Sequence, residues 1–214
     1  MDEDLRQRLK EMRRSYGEAG LVEDRLSDEP FTLFTEWLHE ASENPYIVEP
    51  NAMVLGTSDL TSRTVLLKDI TSERFTFFTN YGSRKARAIT ADPRVTLTFP
   101  WYPMERQVLV IGRAERVAES ESDAYFASRP YGSQIGAWAS HQSELLTSRQ
   151  ELQSRFEELS ARYKEGSVPR PPQWGGFSIT PEEIEFWQGR HSRLHDRIRF
   201  TRDGNHWQRV RLNP

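Results

Sequence analysis

Between positions 52 and 117 five runs rich in branched and aromatic residues follow one another, with one short helical stretch among them. They cover 52–57, 64–67, 75–79, 95–99 and 107–117. Parallel neighbours need a crossover of about a dozen residues or more, usually a helix, between each pair of strands. The gaps here are mostly too short for that. The helical stretch, 83–91, opens on Ser83 as its N-cap and is stopped by Asp92-Pro93. Strands in succession with one brief helix predict an α+β chain built on an antiparallel barrel rather than a doubly wound sheet.

Helices are predicted around that barrel. Leu5, Leu9, Met12 and Tyr16 recur at helical spacing, so an amphipathic helix should run to about Gly17. A second should begin after Asp28, with Pro30 in its first turn and Leu33, Phe34, Trp37, Leu38 and Ala41 as its apolar stripe. Further helices are expected over 120–128, ended by Pro130, and over 148–165, ended by Gly166. After the stiff Pro169-Arg170-Pro171-Pro172 connector, strands are predicted at 176–179, 184–188, 196–201 and 206–212, with Asp203-Gly204 turning the last hairpin. No repeat or linker divides the chain, so a single domain over 1–214 is expected.

Composition narrows the function. A net charge of −3 argues against a general nucleic-acid binder. With no cysteine there is no disulfide, thiolate metal site or thiol nucleophile. His39, His141, His191, His195 and His206 lack metal-ligand spacing. No apolar run approaches a membrane span of about 20 residues. The acidic opening lacks a signal-peptide core, so a cytoplasmic protein, off the membrane, is the expectation.

Several clusters could carry chemistry. In Arg63-Thr64-Val65-Leu66-Leu67-Lys68 the strand presents a cation at each end, which is either ordinary surface charge or an anion contact. Arg84 and Lys85 open a helix, where acidic residues are usually preferred, and a bound phosphate would resolve that conflict. Gln107 opens an otherwise apolar strand, as an edge residue or as a partner for a heterocycle. Tyr125 and Arg129 stand at i and i+4, with Ser133 following in a turn and Gln142-Ser143 in a polar loop; a phenol, a guanidinium and a hydroxyl together would cradle a phosphate. Last comes Arg193-Leu194-His195-Asp196-Arg197, just after Phe186-Trp187-Gln188-Gly189. If extended, it sets Arg193, His195 and Arg197 on one face, either as a solvated edge or opposite an anion.

Taken in order, Arg63 to Lys68, Thr79-Asn80 with Gly82 to Lys85, Glu105-Arg106-Gln107, Ser128-Arg129-Pro130, Ser133 to Trp138, Trp174-Gly175-Gly176-Phe177 and Arg193 to Arg197 resemble the motif set of the pyridoxine/pyridoxamine 5′-phosphate oxidases. The resemblance spans essentially the whole chain. It implies an FMN-binding split β-barrel with surrounding helices, working as a homodimer with FMN between the two chains. The implied reaction oxidises pyridoxamine or pyridoxine 5′-phosphate to pyridoxal 5′-phosphate while dioxygen becomes hydrogen peroxide.

By the same resemblance, Arg63, Thr64, Val65, Leu66, Leu67, Lys68, Phe78, Thr79, Arg84, Lys85, Gln107, Trp187 and Arg197 contact FMN, with Gln142 and Ser143 reaching it across the dimer interface. Lys68, Tyr125, Arg129 and Ser133 hold the substrate phosphate. Arg193 and His195 bracket the pyridine ring as the catalytic pair. Arg13 and Tyr16 belong to an N-terminal lid over about 1–20, and strands over about 174–214 carry dimerisation and substrate contacts. Two departures stand out. The turn before Arg63 is only Ser58-Asp59-Leu60-Thr61-Ser62, shorter than in relatives, and Phe78 replaces a frequent tyrosine. The rival readings are another flavin oxidase on this fold, of the phenazine-biosynthesis kind, and a non-catalytic split barrel that carries flavin or pyridoxal phosphate.

Overall fold

The computed structural model describes residues 3–12, 15–17, 20–22, 26–71 and 73–214. Six helices are present among them: α1 (Glu3–Glu11), α2 (Pro30–Glu43), α3 (Arg84–Ala91), α4 (Glu119–Ser128), α5 (Tyr131–Ala139) and α6 (Arg149–Arg162). Nine strands accompany them: β1 (Ala52–Thr57), β2 (Ser62–Leu66), β3 (Asp69–Ile70), β4 (Phe75–Asn80), β5 (Arg94–Trp101), β6 (Arg106–Arg116), β7 (Trp174–Gln188), β8 (Asp196–Asp203) and β9 (His206–Leu212). Strand order is β2-β1-β5-β6-β7-β4-β3, with β8 paired to β7 and β9. The β1–β2, β1–β5, β3–β4, β4–β7 and β8–β9 pairs are all antiparallel, as the short connections of β1–β2, β3–β4 and β8–β9 require.

The chain divides into two compact units, each assembled from segments distant in sequence. The first comprises residues 1–50, 100–109 and 184–214. Its core is aromatic. Trp37 of α2 meets Phe186 edge-on at 5.3 Å, Phe186 meets Phe200 at 5.8 Å, and Phe34 packs on Trp101 at 5.9 Å. T-shaped contacts of this kind align positive ring edges with negative faces. Arg106 lies over the Trp37 ring at 4.4 Å and is held there by Gln188 Oε1 and Glu40.

The second unit comprises residues 51–99 and 110–183. Alternation in β1 and β5 buries Met53, Leu55, Val95, Leu97 and Phe99 on one face. A satellite cluster of Phe126, Ile135, Val168 and Trp174 is flanked by Phe78, Tyr125, Phe156 and Leu159. Gly176 is required there: a Cβ would sit 2.8 Å from the Phe78 ring and 2.7 Å from Val117. With only hydrogen at that position, Phe78 lies flat, stacked on Tyr125 at 4.0 Å and on Trp174 at 5.6 Å.

Several expectations change. The first helix stops at Glu11, so Tyr16 lies beyond it. The 176–179 and 184–188 strands are one 15-residue strand running through a buried Pro181. The turn expected at Ser133 is instead α5, a helix that forms despite Gly132 and Gly136. Burial of Ile135 and Ala139 outweighs those glycines, and Tyr131 Oη donates to Ser160 and Tyr163 carbonyls of the α6 end. Finally, 191–193 is a tight turn with Ser192 and Arg193 at φ 56° and 61°, while the next strand starts at Asp196 as predicted.

Candidate active site

A cavity of about 910 Å³ opens in the second unit. Its lining includes Arg63, Lys68, Arg84, Lys85 and Arg129, and no carboxylate. Arg84 is paired with Asp59 just outside the lining, and the cations converging inside it repel one another unless an anion joins them. Of the residues singled out in the sequence, Arg63, Thr64, Val65, Leu66, Lys68, Phe78, Thr79, Arg84, Lys85, Tyr125, Arg129, Ser133, Gln142 and Ser143 all line this cavity. Leu67 does not; it lies just past β2 and is buried in the core.

Local structure explains each placement. Ser83 caps α3, accepting from Ala86 N–H, so the first turn of α3 carries Arg84 and Lys85. The Lys85 ammonium is buried and donates to Thr79 Oγ1 at 3.2 Å and Gln142 Oε1 at 3.2 Å. Burial, with Arg63 adding repulsion, lowers its pKa to about 8. Arg84 N–H donates to Ser143 Oγ at 3.1 Å. Gln142 and Ser143 meet Thr79, Lys85 and Arg84 within their own chain, because the loop after α5 folds back over the start of α3.

Tyr125 and Arg129 share the cavity although Arg129 has left the helix as the C-cap of α4. Its guanidinium lies over Trp174 at 4.7 Å, and its Nη1 is buried with no hydrogen-bond partner among the described residues. A buried donor left unpaired costs about 1–3 kcal/mol, more when charged, so this atom marks where an anion fits. Trp174, Asn80 and Ser140 also line the cavity. The sequence signals were the Trp174-Gly175-Gly176-Phe177 motif for Trp174 and the Thr79-Asn80 motif for Asn80; Ser140 gave none beyond proximity.

A smaller cavity of about 320 Å³ lies in the first unit, lined by Tyr16, Tyr102, Glu105, Arg106, Gln107 and Trp187. Tyr16 meets Trp187 at 5.8 Å and His195 at 5.4 Å, both edge-on, and Trp187 lies 4.7 Å from His195. Glu105 accepts from Gly17 N–H at 2.8 Å, and the buried Asp196 accepts from Leu21 N–H at 3.0 Å, so the segment carrying Tyr16 is tied down at two points. Arg13 lies outside the described residues.

The expected face of Arg193, His195 and Arg197 does not form, because the left-handed turn at 192–193 breaks the alternation. Arg193 is exposed. His195 Nδ1 accepts from Arg190 N–H at 3.1 Å, and burial, helped by Arg193, lowers its pKa. Arg197 is engaged by Glu185 through Nε and Nη2 at 2.8 and 3.0 Å, and by the Asn213 carbonyl through Nη1. Its anion is internal. No group of three or more potential metal ligands occurs among the described residues, and no helix there is long and apolar enough to cross a membrane.

Comparison with known proteins decides the family. A sequence model described as pyridoxamine 5′-phosphate oxidase matches residues 38–163, and one described as the pyridoxine 5′-phosphate oxidase C-terminal dimerisation region matches 174–214. The chain is 53% identical over its whole length to the pyridoxine/pyridoxamine 5′-phosphate oxidase of Rubrobacter xylanophilus, all of which is covered. It is 50% identical to that of Streptomyces avermitilis, with 95% of each chain covered. The chain belongs to the pyridoxine/pyridoxamine 5′-phosphate oxidase family. It is an oxidoreductase of that family. Among solved structures, PhzG from Burkholderia lata, in complex with tetrahydrophenazine-1-carboxylic acid, superposes with a TM-score of 0.85 at 33% identity, covering 92% of this chain and all of that one. An FMN-binding protein from Nostoc punctiforme shares the fold at a TM-score of 0.69 and 14% identity, over 92% of this chain and all of that one. The fold is thus the family's antiparallel split barrel, and the family implies a flavin cofactor.

Proposed function

We propose that this chain is an FMN-dependent oxidase that converts pyridoxamine or pyridoxine 5′-phosphate to pyridoxal 5′-phosphate, acting as a homodimer with FMN held between its two chains. The observation that carries the reading is the acid-free, five-cation cavity with the unpartnered Arg129 Nη1 inside it. Both the cofactor and the substrate bear a phosphate, and two cationic groupings suit two phosphates. Arg63, Arg84 and Lys85, with Thr79, Gln142 and Ser143, receive the FMN phosphate. Lys68, Tyr125, Arg129 and Ser133 receive that of the substrate, Arg129 as a planar fork.

When bound, FMN supplies the two-electron redox chemistry. The chain's own groups position and polarise. Thr64, Val65, Leu66 and Phe78 flank the cofactor, with Gln107 and Trp187 as further contacts. Arg197 receives the least geometric support, since its guanidinium is already taken up by Glu185 and Asn213. Arg193 and His195 bracket the pyridine ring; His195, kept neutral by its lowered pKa and with Nδ1 accepting from Arg190 N–H, donates from Nε2 to a substrate oxygen. Tyr16, with Arg13, covers the substrate. In the balance, pyridoxine 5′-phosphate loses two hydrogens and dioxygen gains them as hydrogen peroxide; the amine substrate also takes up water and releases ammonia. A cytoplasmic location accords with this role.

The test is to compare pyridoxamine 5′-phosphate with pyridoxamine itself on the FMN-loaded protein. Loss of the phosphate should lower kcat/KM by at least about 100-fold, as expected when a site built for a charged group is left unpaired. Equal use of both substrates would contradict the reading. The likeness to PhzG favours one second reading, oxidation of a reduced phenazine precursor; turnover of tetrahydrophenazine-1-carboxylic acid in preference to either B6 phosphate would establish it.

A further inference from the structure

The shortened turn before Arg63 is organised round one carboxylate. Asp59 Oδ1 accepts from Thr57 Oγ1 and from Thr61 Oγ1, each at 2.7 Å. Having donated their protons to Asp59, both hydroxyls present lone pairs to Arg63. Arg63 Nη1 donates to Thr57 Oγ1 at 2.9 Å, and Arg63 Nη2 donates to Thr61 Oγ1. On its other side, Asp59 Oδ2 accepts from Arg84 Nε at 3.0 Å. Thr61, Arg63 and Arg84 line the large cavity, whereas Asp59 lies outside its lining.

We propose that Asp59 is a positioning residue for the cofactor phosphate: it fixes Arg63, through Thr57 and Thr61, and Arg84 directly, without itself touching the anion. This rests on the reading of that cavity as the FMN phosphate site. Two long side chains from different elements, β2 and α3, are thereby held in place before any ligand arrives. Ordering them beforehand removes rotamer entropy that binding would otherwise cost. An opposing effect exists, because a carboxylate near a phosphate repels it. Here its charge is already paired with Arg84 and sits at the surface, where screening is strong, so preorganisation wins. The hydrogen bonds from Thr57 and Thr61, then Arg84, hold the Asp59 carboxyl well below the usual range, so it stays ionised at any working pH. The same arrangement answers the conflict of two cations opening α3, since Arg84 finds its acid in the β1–β2 turn.

The test uses apoprotein titrated separately with FMN and with riboflavin, which lacks only the phosphate, followed by flavin fluorescence quenching. The wild type should prefer FMN. Asp59→Asn should raise the FMN Kd about tenfold, the scale of one charge-assisted hydrogen bond, and leave riboflavin within about twofold. Thr61→Val should act in the same direction and carries the test if Asp59→Asn fails to fold. An unchanged or tighter FMN Kd, or parallel weakening of riboflavin, overturns the positioning role. A wild type with no preference for FMN over riboflavin overturns the phosphate-site reading and this proposal with it.

Discussion

Arg129 lies over the face of Trp174, 4.7 Å from the ring centre, with its buried Nη1 unpaired among the described residues. The indole fixes the plane of the guanidinium, and the fork edge is left for a phosphate. Arg129→Met should therefore raise the substrate KM by about 10- to 100-fold, given about 1.5–3 kcal/mol for a hydrogen bond to a charged group, with FMN affinity nearly unchanged. Arg129→Lys should rescue little, because an ammonium neither stacks nor binds bidentately. Steady-state kinetics at saturating FMN check this; an unaltered KM would count against the assignment.

Lys85 makes anion binding depend on pH. With its pKa lowered to about 8, the ammonium is charged below that value and neutral above it. Affinity of the apoprotein for FMN should fall as pH rises through about 8, and Lys85→Met should weaken binding and flatten that dependence. The stability sign is opposite: between about 8 and the ordinary value of 10.5 the unfolded chain binds more protons, so the apoprotein gains stability with rising pH. Titrations and thermal melts from pH 7 to 10 test both.

His195 titrates below its ordinary 6.5 because it is partly desolvated and faces Arg193. Activity that needs the neutral imidazole should be complete at pH 7 and lost only as pH falls past that lowered value. Arg193→Leu removes the repulsion, so the acid limb of kcat/KM should move upward, while kcat falls far more than FMN affinity. An acid limb that stays put, or equal loss of turnover and of cofactor binding, would remove Arg193 from the substrate site.

Gly176→Ala puts a methyl 2.7–2.8 Å from Val117 and the Phe78 ring. Overpacking of this kind costs about 1–3 kcal/mol, and the displaced Phe78 disrupts the stack with Tyr125 and Trp174 that walls the cavity. A lower Tm together with a weaker substrate KM is expected; Gly132→Ala, where a Cβ meets nothing within 4 Å, should leave the cavity intact.

The fold was legible wherever side-chain period reports burial, as in β5, where Val95, Leu97 and Phe99 alternate with Arg94, Thr96 and Thr98 and are the residues buried. It was not legible where long-range contacts override local preference. The strands expected at 176–179 and 184–188 are joined in β7, which runs through Pro181, and α5 forms despite two glycines because Ile135 is buried and Tyr131 is anchored on α6. The cationic cavity followed from motif order, with Arg63 and Lys68 near strand ends, Arg84 and Lys85 at a helix start and Arg129 at a helix end. The role of Asp59 did not, because nothing in a five-residue turn announces that its carboxylate meets Arg84, 25 positions later. Nor did the fate of Arg197, whose partner Glu185 lies on another strand.

The account's central claim is a coupled oxidation in a phosphate-binding flavin site. The most direct measurement gives the FMN-loaded protein pyridoxamine 5′-phosphate in air and follows pyridoxal 5′-phosphate and hydrogen peroxide together. The account predicts both products in equal amounts. A flavin-loaded protein that forms neither, or peroxide without pyridoxal 5′-phosphate, would contradict it.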